Sequence, residues 1–160
     1  SHPRLEDRLK NLKKEIKREK RRKGYVAGAV PNPLGYYQAI ASALLVNAKL
    51  DLEEGQFGRA REALEKYLLV YPDDPEAHYL MGEAYRRQNP LGPDFTQSAQ
   101  AYNTTLEHDS GYADAYKELG MVYRQQHQDV EARAAFERYL ALAAEAPDAG
   151  IIRGYLEGLQ

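Results

Sequence analysis

Four histidines and several neighbouring carboxylates are the side chains of this sequence that could bind a metal or transfer a proton. The histidines lack the spacing of a metal site, and no HExxH motif occurs. The acidic pairs Asp73–Asp74 and Glu53–Glu54 fall at predicted helix ends, where capping and solvation explain them. The four histidines are His2, His78, His108 and His127. We therefore predict no metal site, and we interpret His78 as a packing residue of a helix.

Motifs for nucleotide binding and for covalent catalysis are also missing from the sequence. There is no P-loop, no G-x-S-x-G and no dinucleotide fingerprint. Cysteine is absent, which excludes disulfides and thiolate chemistry. The sequence therefore predicts no catalysis by this chain alone and no cofactor.

Composition indicates one domain or one short array of repeats. Hydrophobic residues make up 43% of the 160 residues, but no run of about 18 apolar residues occurs. We therefore expect no membrane span. The sequence opens on Ser1 and a polar stretch, so we expect no signal peptide and interpret the chain as a piece trimmed from a longer protein.

The stretch from Pro72 to Gln88 organises the rest of the chain. Its Asp-Asp-Pro ends one helix and begins another, whose apolar residues recur at helical spacing. Gly82 interrupts that apolar face, where glycine costs roughly 1 kcal/mol against alanine. The simplest reason is a second helix that crosses too closely for a side chain. The same signal recurs at Gly120, 38 residues later, and at Ala48, 34 residues earlier, and this period predicts stacked helical hairpins.

The elements follow from hydrophobic periodicity and from the helix stop signals between them. We expect an N-terminal basic helix in residues 1–23, a linker in 24–35, a helical array in 36–146 and a capping helix in 147–160. The six predicted helices of the array are Tyr36–Glu54, Phe57–Tyr71, Pro75–Gln88, Asp94–His108, Tyr112–Gln126 and Val130–Glu145. In the last helix the predicted apolar face is Ile151, Ile152, Tyr155, Leu156 and Leu159. The predicted fold class is all-α.

These residues resemble the tetratricopeptide repeat (TPR) family, whose unit is a pair of antiparallel helices with small and large residues at fixed places. The resemblance covers about residues 41–146, divided into units 41–74, 75–112 and 113–146. The small residue late in each first helix is Ala48, Gly82 or Gly120. The second helices carry a small residue at Ala60, Ser98 and Ala132, and a large one at Leu64, Tyr102 and Phe136. The first unit departs from the pattern, with Asp51 where the others have Tyr85 and Tyr123.

The resemblance implies a solenoid whose first helices line a concave groove that binds a peptide or a partner helix. The candidate groove residues are Lys49, Glu53, Tyr79, Glu83, Arg86, Arg87, Lys117, Met121 and Arg124. One subgroup of the family grips a peptide's terminal carboxylate with a set of basic residues and asparagines. Here Asp114 and Glu118 fall at positions where basic residues are expected, so we reject that kind of receptor. The expected partner is a protein or peptide, with no small-molecule substrate.

Charge is distributed unevenly, which leaves an alternative function open. Residues 4–23 hold 11 Lys and Arg against 4 Asp and Glu, whereas the rest of the chain holds 11 against 20. A basic amphipathic helix can lie on an anionic membrane surface, contact nucleic acid or pack on a missing domain. Nucleic acid is the least favoured of these, because no aromatic residues interleave with the basic ones. Dimerisation of the chain through residues 1–35 is a further hypothesis.

A second resemblance lies at the N-terminus. His2-Pro3, followed by Asp7-Arg8, is similar to a segment late in the catalytic domain of HtpX-like, CAAX-prenyl-protease-like zinc metallopeptidases. This resemblance implies that His2 and Arg8 help to hold substrate near a zinc ion bound elsewhere, since bacterial members often continue into a TPR region. The chain would then be the non-catalytic C-terminal region of such a protein. We would expect a periplasmic or membrane-associated location in that case, and a cytoplasmic one otherwise.

Overall fold

The computed structural model describes Lys14, Arg18, residues 33–88 and residues 95–159. Residues 33–88 and 95–159 contain seven α-helices, and none of the described residues lies in a strand, which confirms the predicted all-α class. The helices are α1 (Pro33–Glu53), α2 (Phe57–Leu68), α3 (Pro75–Gln88), α4 (Thr96–His108), α5 (Ala113–Gln125), α6 (Asp129–Leu142) and α7 (Ala149–Glu157). They belong to one unit that begins at Pro33. Lys14 and Arg18, from the predicted basic helix, are helical and exposed, and the rest of that prediction lies outside the described residues.

Consecutive helices pair into three hairpins that stack in chain order. The most extensive contacts join α1 to α2, α3 to α4, and α5 to α6. Contacts of α2 with α3, α4 with α5, and α6 with α7 then join one hairpin to the next. Each hairpin is too small to bury its apolar face alone, so the core is shared across these junctions. The expected helical-hairpin solenoid is therefore confirmed.

Small residues meet large ones where the two helices of each hairpin cross. A Cβ atom built on Gly82 would lie 2.6 Å from Cδ1 of Tyr102, and one built on Gly120 would lie 3.0 Å from Cγ of Phe136, with other ring atoms closer still. In the first hairpin the corresponding pair is Ala48 and Leu64, in one buried cluster. An aliphatic side chain therefore meets alanine, whereas an aromatic ring requires glycine. The predicted reason for Gly82 is correct.

The helix bounds differ from the prediction at several ends. α1 begins at Pro33, so the last three residues of the predicted linker 24–35 are helical. Proline fits the first position of a helix, where its missing N–H would have no partner. α2 ends at Leu68 and α6 at Leu142, three residues before the predicted ends in each case. Asp94, the predicted start of the fourth helix, lies outside the described residues, and α4 begins at Thr96.

The last helix covers the C-terminal end of the third hairpin, as predicted. Ile152 and Leu159 are buried in a cluster with Phe136 and Tyr139 of α6. Arg133 of α6 donates a hydrogen bond to the carbonyl of Leu159. Ile151 does not belong to the buried apolar face to which it was assigned, because its side chain is 58% exposed.

Asp74 joins the first hairpin to the second, and its removal is expected to destabilise the fold. Its Oδ1 accepts a hydrogen bond from the backbone N–H of Glu76 (2.9 Å) at the start of α3. Its Oδ2 accepts one from the hydroxyl of Tyr67 (2.5 Å) on α2. Losing a helix cap typically costs about 1 kcal/mol, so with the tyrosine bond we expect Asp74→Ala to cost about 2 kcal/mol in chemical denaturation. The matched control is Asp73→Ala, because the Asp73 side chain is 83% exposed, and a similar loss there would refute this role for Asp74.

Candidate partner-binding face

Ion pairs connect the first helices of successive hairpins. Lys49 Nζ on α1 lies 2.7 Å from Glu76 Oε1 on α3. Arg86 Nε on α3 lies 3.3 Å from Glu118 Oε2 on α5, and Lys117 Nζ on α5 lies 3.0 Å from Asp148 Oδ2 just before α7. These contacts place α1, α3 and α5 side by side. We call the surface that carries the side chains of Lys49, Glu76, Tyr79, Glu83, Arg86, Tyr112, Lys117 and Glu118 the first-helix face.

A hydrogen-bonded network around Glu83 lies at the centre of this face. Arg86 Nη2 donates to both carboxylate oxygens of Glu83, at 3.0 and 2.9 Å. The hydroxyl of Tyr102 on α4 donates to Glu83 Oε1 at 2.6 Å. Burial raises the pKa of Glu118 above its usual value, and the nearby Arg86 guanidinium partly offsets that rise. Two largely buried carboxylates are thus held by one arginine, so these residues stabilise the helix stack as well as forming its surface.

Two tyrosines stack between α3 and the start of α5. The ring centroids of Tyr79 and Tyr112 are 5.0 Å apart, and Tyr79 also contacts the Tyr102 ring at 5.7 Å. Both Tyr79 and Tyr112 are half-buried, so part of each ring faces solvent. Burial raises the pKa of Tyr112 to about 12, with further contributions from the nearby Glu76 and Asp114. The pair is a partly open aromatic surface with carboxylates around it.

Sequence reasoning identified Tyr79 but missed Tyr112. The sequence places Tyr112 directly before the third unit, at the N-cap of α5, where no groove residue was expected. Its position one residue ahead of Ala113 was the available signal, since the residue before a first helix can reach the preceding repeat.

The remaining candidates lie in the C-terminal halves of the first helices. Met121 is half-buried in the cluster that includes α6 and α7, and the Arg124 guanidinium lies 4.2 Å above the ring of Tyr155 on α7. Arg87 is exposed, with its guanidinium 5.3 Å from the ring centroid of Phe57 on α2. Glu53 is exposed at the end of α1. The structure therefore brings Tyr79, Glu83 and Arg86 together, and gives Arg87, Met121 and Arg124 contacts with other helices.

His78 packs as a helix residue. Its Nε2 lies 2.7 Å from the carbonyl oxygen of Pro72, and its ring stacks on that of His108 with centroids 5.3 Å apart. Among the described residues, no group of three or more potential ligands could hold a metal ion. None of the described helices is both long and apolar enough to span a bilayer. His2 and Arg8 lie outside the described residues.

Comparison with known proteins identifies the repeat. A family model described as tetratricopeptide repeat matches residues 45–91 and 94–149, which is more than half of the chain. Two solved structures of MamA have similar folds. One has a TM-score of 0.62 at 25% sequence identity, covering 88% of this chain and 84% of that chain. The other has a TM-score of 0.60 at 24% identity, covering 93% and 85%, and shows the fold alone.

A curated relative also matches part of the chain. Protein O-mannosyl-transferase TMTC1 of Mus musculus is 33% identical over 106 residues, or 64% of this chain. The matched stretch is 10% of that protein, so the similarity concerns one segment of a much longer chain. These comparisons lend no support to the resemblance between the N-terminal residues and zinc metallopeptidases.

Proposed function

We propose that this chain, which belongs to the tetratricopeptide repeat family, binds a peptide or a partner helix along its first-helix face. Tetratricopeptide repeats are generally protein–protein interaction scaffolds. The observation that carries the proposal is the half-buried Tyr79–Tyr112 pair between ion-paired helices. Tyrosine and arginine are enriched among the residues that dominate binding energy at protein interfaces.

The inter-hairpin ion pairs would prepare the face for binding. Lys49–Glu76 and Arg86–Glu118 fix the spacing of α1, α3 and α5 before a partner arrives. A rigid face loses less conformational freedom on binding, which leaves more of the contact energy as affinity. An apolar or aromatic side chain of the partner would lie on the tyrosine rings. The side chains of Glu76 and Asp114, both about half exposed, would accept hydrogen bonds beside it.

Tyr79→Ala is expected to weaken peptide binding by about tenfold or more, since a buried aromatic contact at an interface is worth about 2 kcal/mol. Peptides would be selected from a phage-displayed random library on the wild-type chain. Their affinities for Tyr79→Ala and Tyr112→Ala would then be measured by fluorescence anisotropy. Val130→Ala is the control, because Val130 is exposed on α6. Selected peptides that bind the tyrosine variants, with their fold intact by circular dichroism, as tightly as wild type would place the site elsewhere.

We propose a non-catalytic role for this chain, in which its side chains position a partner. The hypothesis that this chain is part of a zinc metallopeptidase depends on His2 and Arg8. This hypothesis stays a prediction, and an HExxH motif encoded upstream of Ser1 would support it. The alternative role as a membrane-surface or nucleic-acid adaptor depends on residues 4–23. Of these, the described Lys14 and Arg18 are exposed.

A further inference from the structure

The first helix carries an exposed apolar stripe. Ala39, Ala43, Val46 and Leu50 recur at i, i+4, i+7 and i+11, so they lie along one side of α1. All four side chains are exposed, with Val46 at 56% and Leu50 at 44%. By contrast, the exposed Val130 on α6 shares its helix side with Arg133 and Glu137. The α1 stripe is continuous over three helical turns and therefore calls for an explanation.

The composition of α1 also indicates that one of its sides is covered by a partner. No charged residue occurs from Pro33 to Ala48, although charged residues make up 29% of the whole chain. Ala41, Ala48 and Leu52 are buried within the hairpin stack, on the side away from the stripe. Gln38 and Ser42 are exposed beside the stripe, but the stripe itself contains no polar side chain, and a continuous apolar strip of this kind is normally covered by a partner. One side of α1 thus has the composition of an interface.

We propose that this stripe is a dimer interface, in which α1 packs antiparallel against α1 of a second copy of the chain. A two-fold axis between Leu44 and Leu45 places Ala39 of one copy opposite Leu50 of the other. The same axis brings Ala43 beside Val46. Each small residue then meets a large one, which is the complementarity that the hairpin crossings within the chain also use. An interface of this kind uses the same patch on both copies.

The charges at the end of α1 favour the antiparallel arrangement. Glu53 and Glu54 are exposed beyond Leu50, at the C-terminal end of the stripe. A parallel pair would bring four of these carboxylates together. An antiparallel pair separates them and sets each near the N-terminus of the other α1, where the helix dipole favours negative charge.

The stripe is short, which determines the kind of dimer it forms. Ala39 and Leu50 are eleven positions apart, or about 16 Å along a helix. A single helix pair of this length buries less than the roughly 1,200 Å² that marks the lower limit of a standard interface. The dimer therefore dissociates on dilution.

Sedimentation equilibrium of the full chain tests the proposal. The average mass of the wild type is expected to rise with concentration from 18.1 kDa towards twice that value. Val46→Glu is expected to abolish the rise, because two carboxylates would be buried at the interface. Val130→Glu makes the same substitution at an exposed position on α6 and is expected to behave as wild type. A wild type that stays at 18.1 kDa at its highest soluble concentration, or a Val46→Glu variant that still dimerises, would overturn the proposal.

Disulfide formation tests the orientation, because the chain has no cysteine of its own. A mixture of the Ala39→Cys and Leu50→Cys variants is expected to cross-link on mild oxidation, whereas each variant alone is not. In the antiparallel pair, two copies of one position are about 16 Å apart, beyond the roughly 7 Å limit for a disulfide. Cross-linking within each single variant, and not in the mixture, would indicate a parallel pair.

Discussion

Gly82→Leu is expected to lower the free energy of unfolding by about 3 kcal/mol, at the upper end of the range for overpacked cores. The reason is that the space beside Gly82 is filled by the Tyr102 ring, which is fully buried. The ring cannot move aside freely, since its hydroxyl donates to Glu83 and accepts from Arg86 Nε at 3.2 Å. The measurement is urea-induced unfolding followed by circular dichroism, with the slope compared between variants.

Gly154→Leu is the control for this prediction. Gly154 lies in α7, and no other group lies within 4 Å of a Cβ atom built on it. Leucine has a higher helix propensity than glycine, so this variant is expected to be up to about 1 kcal/mol more stable than wild type. If the Gly82→Leu and Gly154→Leu variants had the same free energy of unfolding, this would contradict the close crossing of α3 and α4 at Gly82.

Arg86→Met is expected to destabilise the fold by about 2 kcal/mol. Removing one partner of a buried ion pair typically costs about 3–5 kcal/mol. The Arg86 side chain is 32% exposed, so solvent screens its ion pairs, and we expect a smaller loss of about 2 kcal/mol. The substitution leaves the carboxylates of Glu83 and Glu118, which are 13% and 14% exposed, without their shared cation. Arg87→Met is the control at the next residue, where a surface cation–π contact with Phe57 worth about 0.5–1 kcal/mol is lost.

The loss in Arg86→Met is also expected to depend on pH. Burial already raises the pKa of Glu118 above the ordinary value of 4.5, and removing Arg86 removes the interaction that opposes this rise. A carboxyl group with a raised pKa binds more protons in the folded state, so its contribution to stability is lost as the pH rises through that pKa. The difference between wild type and variant should therefore shrink as the pH falls from neutral towards 4.5. A difference that is constant with pH would exclude Glu118 as its source.

Periodicity and residue size made the hairpins predictable from sequence. A glycine in an apolar helix face indicates a close neighbour. The recurrence of this signal at Gly120 makes the repeat recognisable from the sequence. The large partners Leu64, Tyr102 and Phe136 could be named because each lies four positions after the small residue of its second helix, and all three are fully buried. These features are local in sequence, so they can be recognised without knowledge of the three-dimensional arrangement.

The ion pairs between hairpins could not be predicted in this way. Arg86 and Glu118 are 32 residues apart, and their contact depends on side-chain directions and on the exact stacking of two hairpins. The sequence therefore assigned Glu83, Arg86 and Lys117 to a ligand groove, although each makes hydrogen bonds or ion pairs within the chain. The binding role of all nine candidate residues stays a prediction.

A double-mutant cycle at the third crossing tests the central claim, that matched small and large side chains set the approach of the two helices in each hairpin. Gly120→Ala and Phe136→Leu would each be destabilising alone, whereas together they recreate the alanine–leucine pair of the first hairpin. We predict that the double variant is more stable than the sum of the single losses implies, by about 1 kcal/mol or more in urea unfolding. Losses that add to within about 0.5 kcal/mol, as for independent sites, would contradict it.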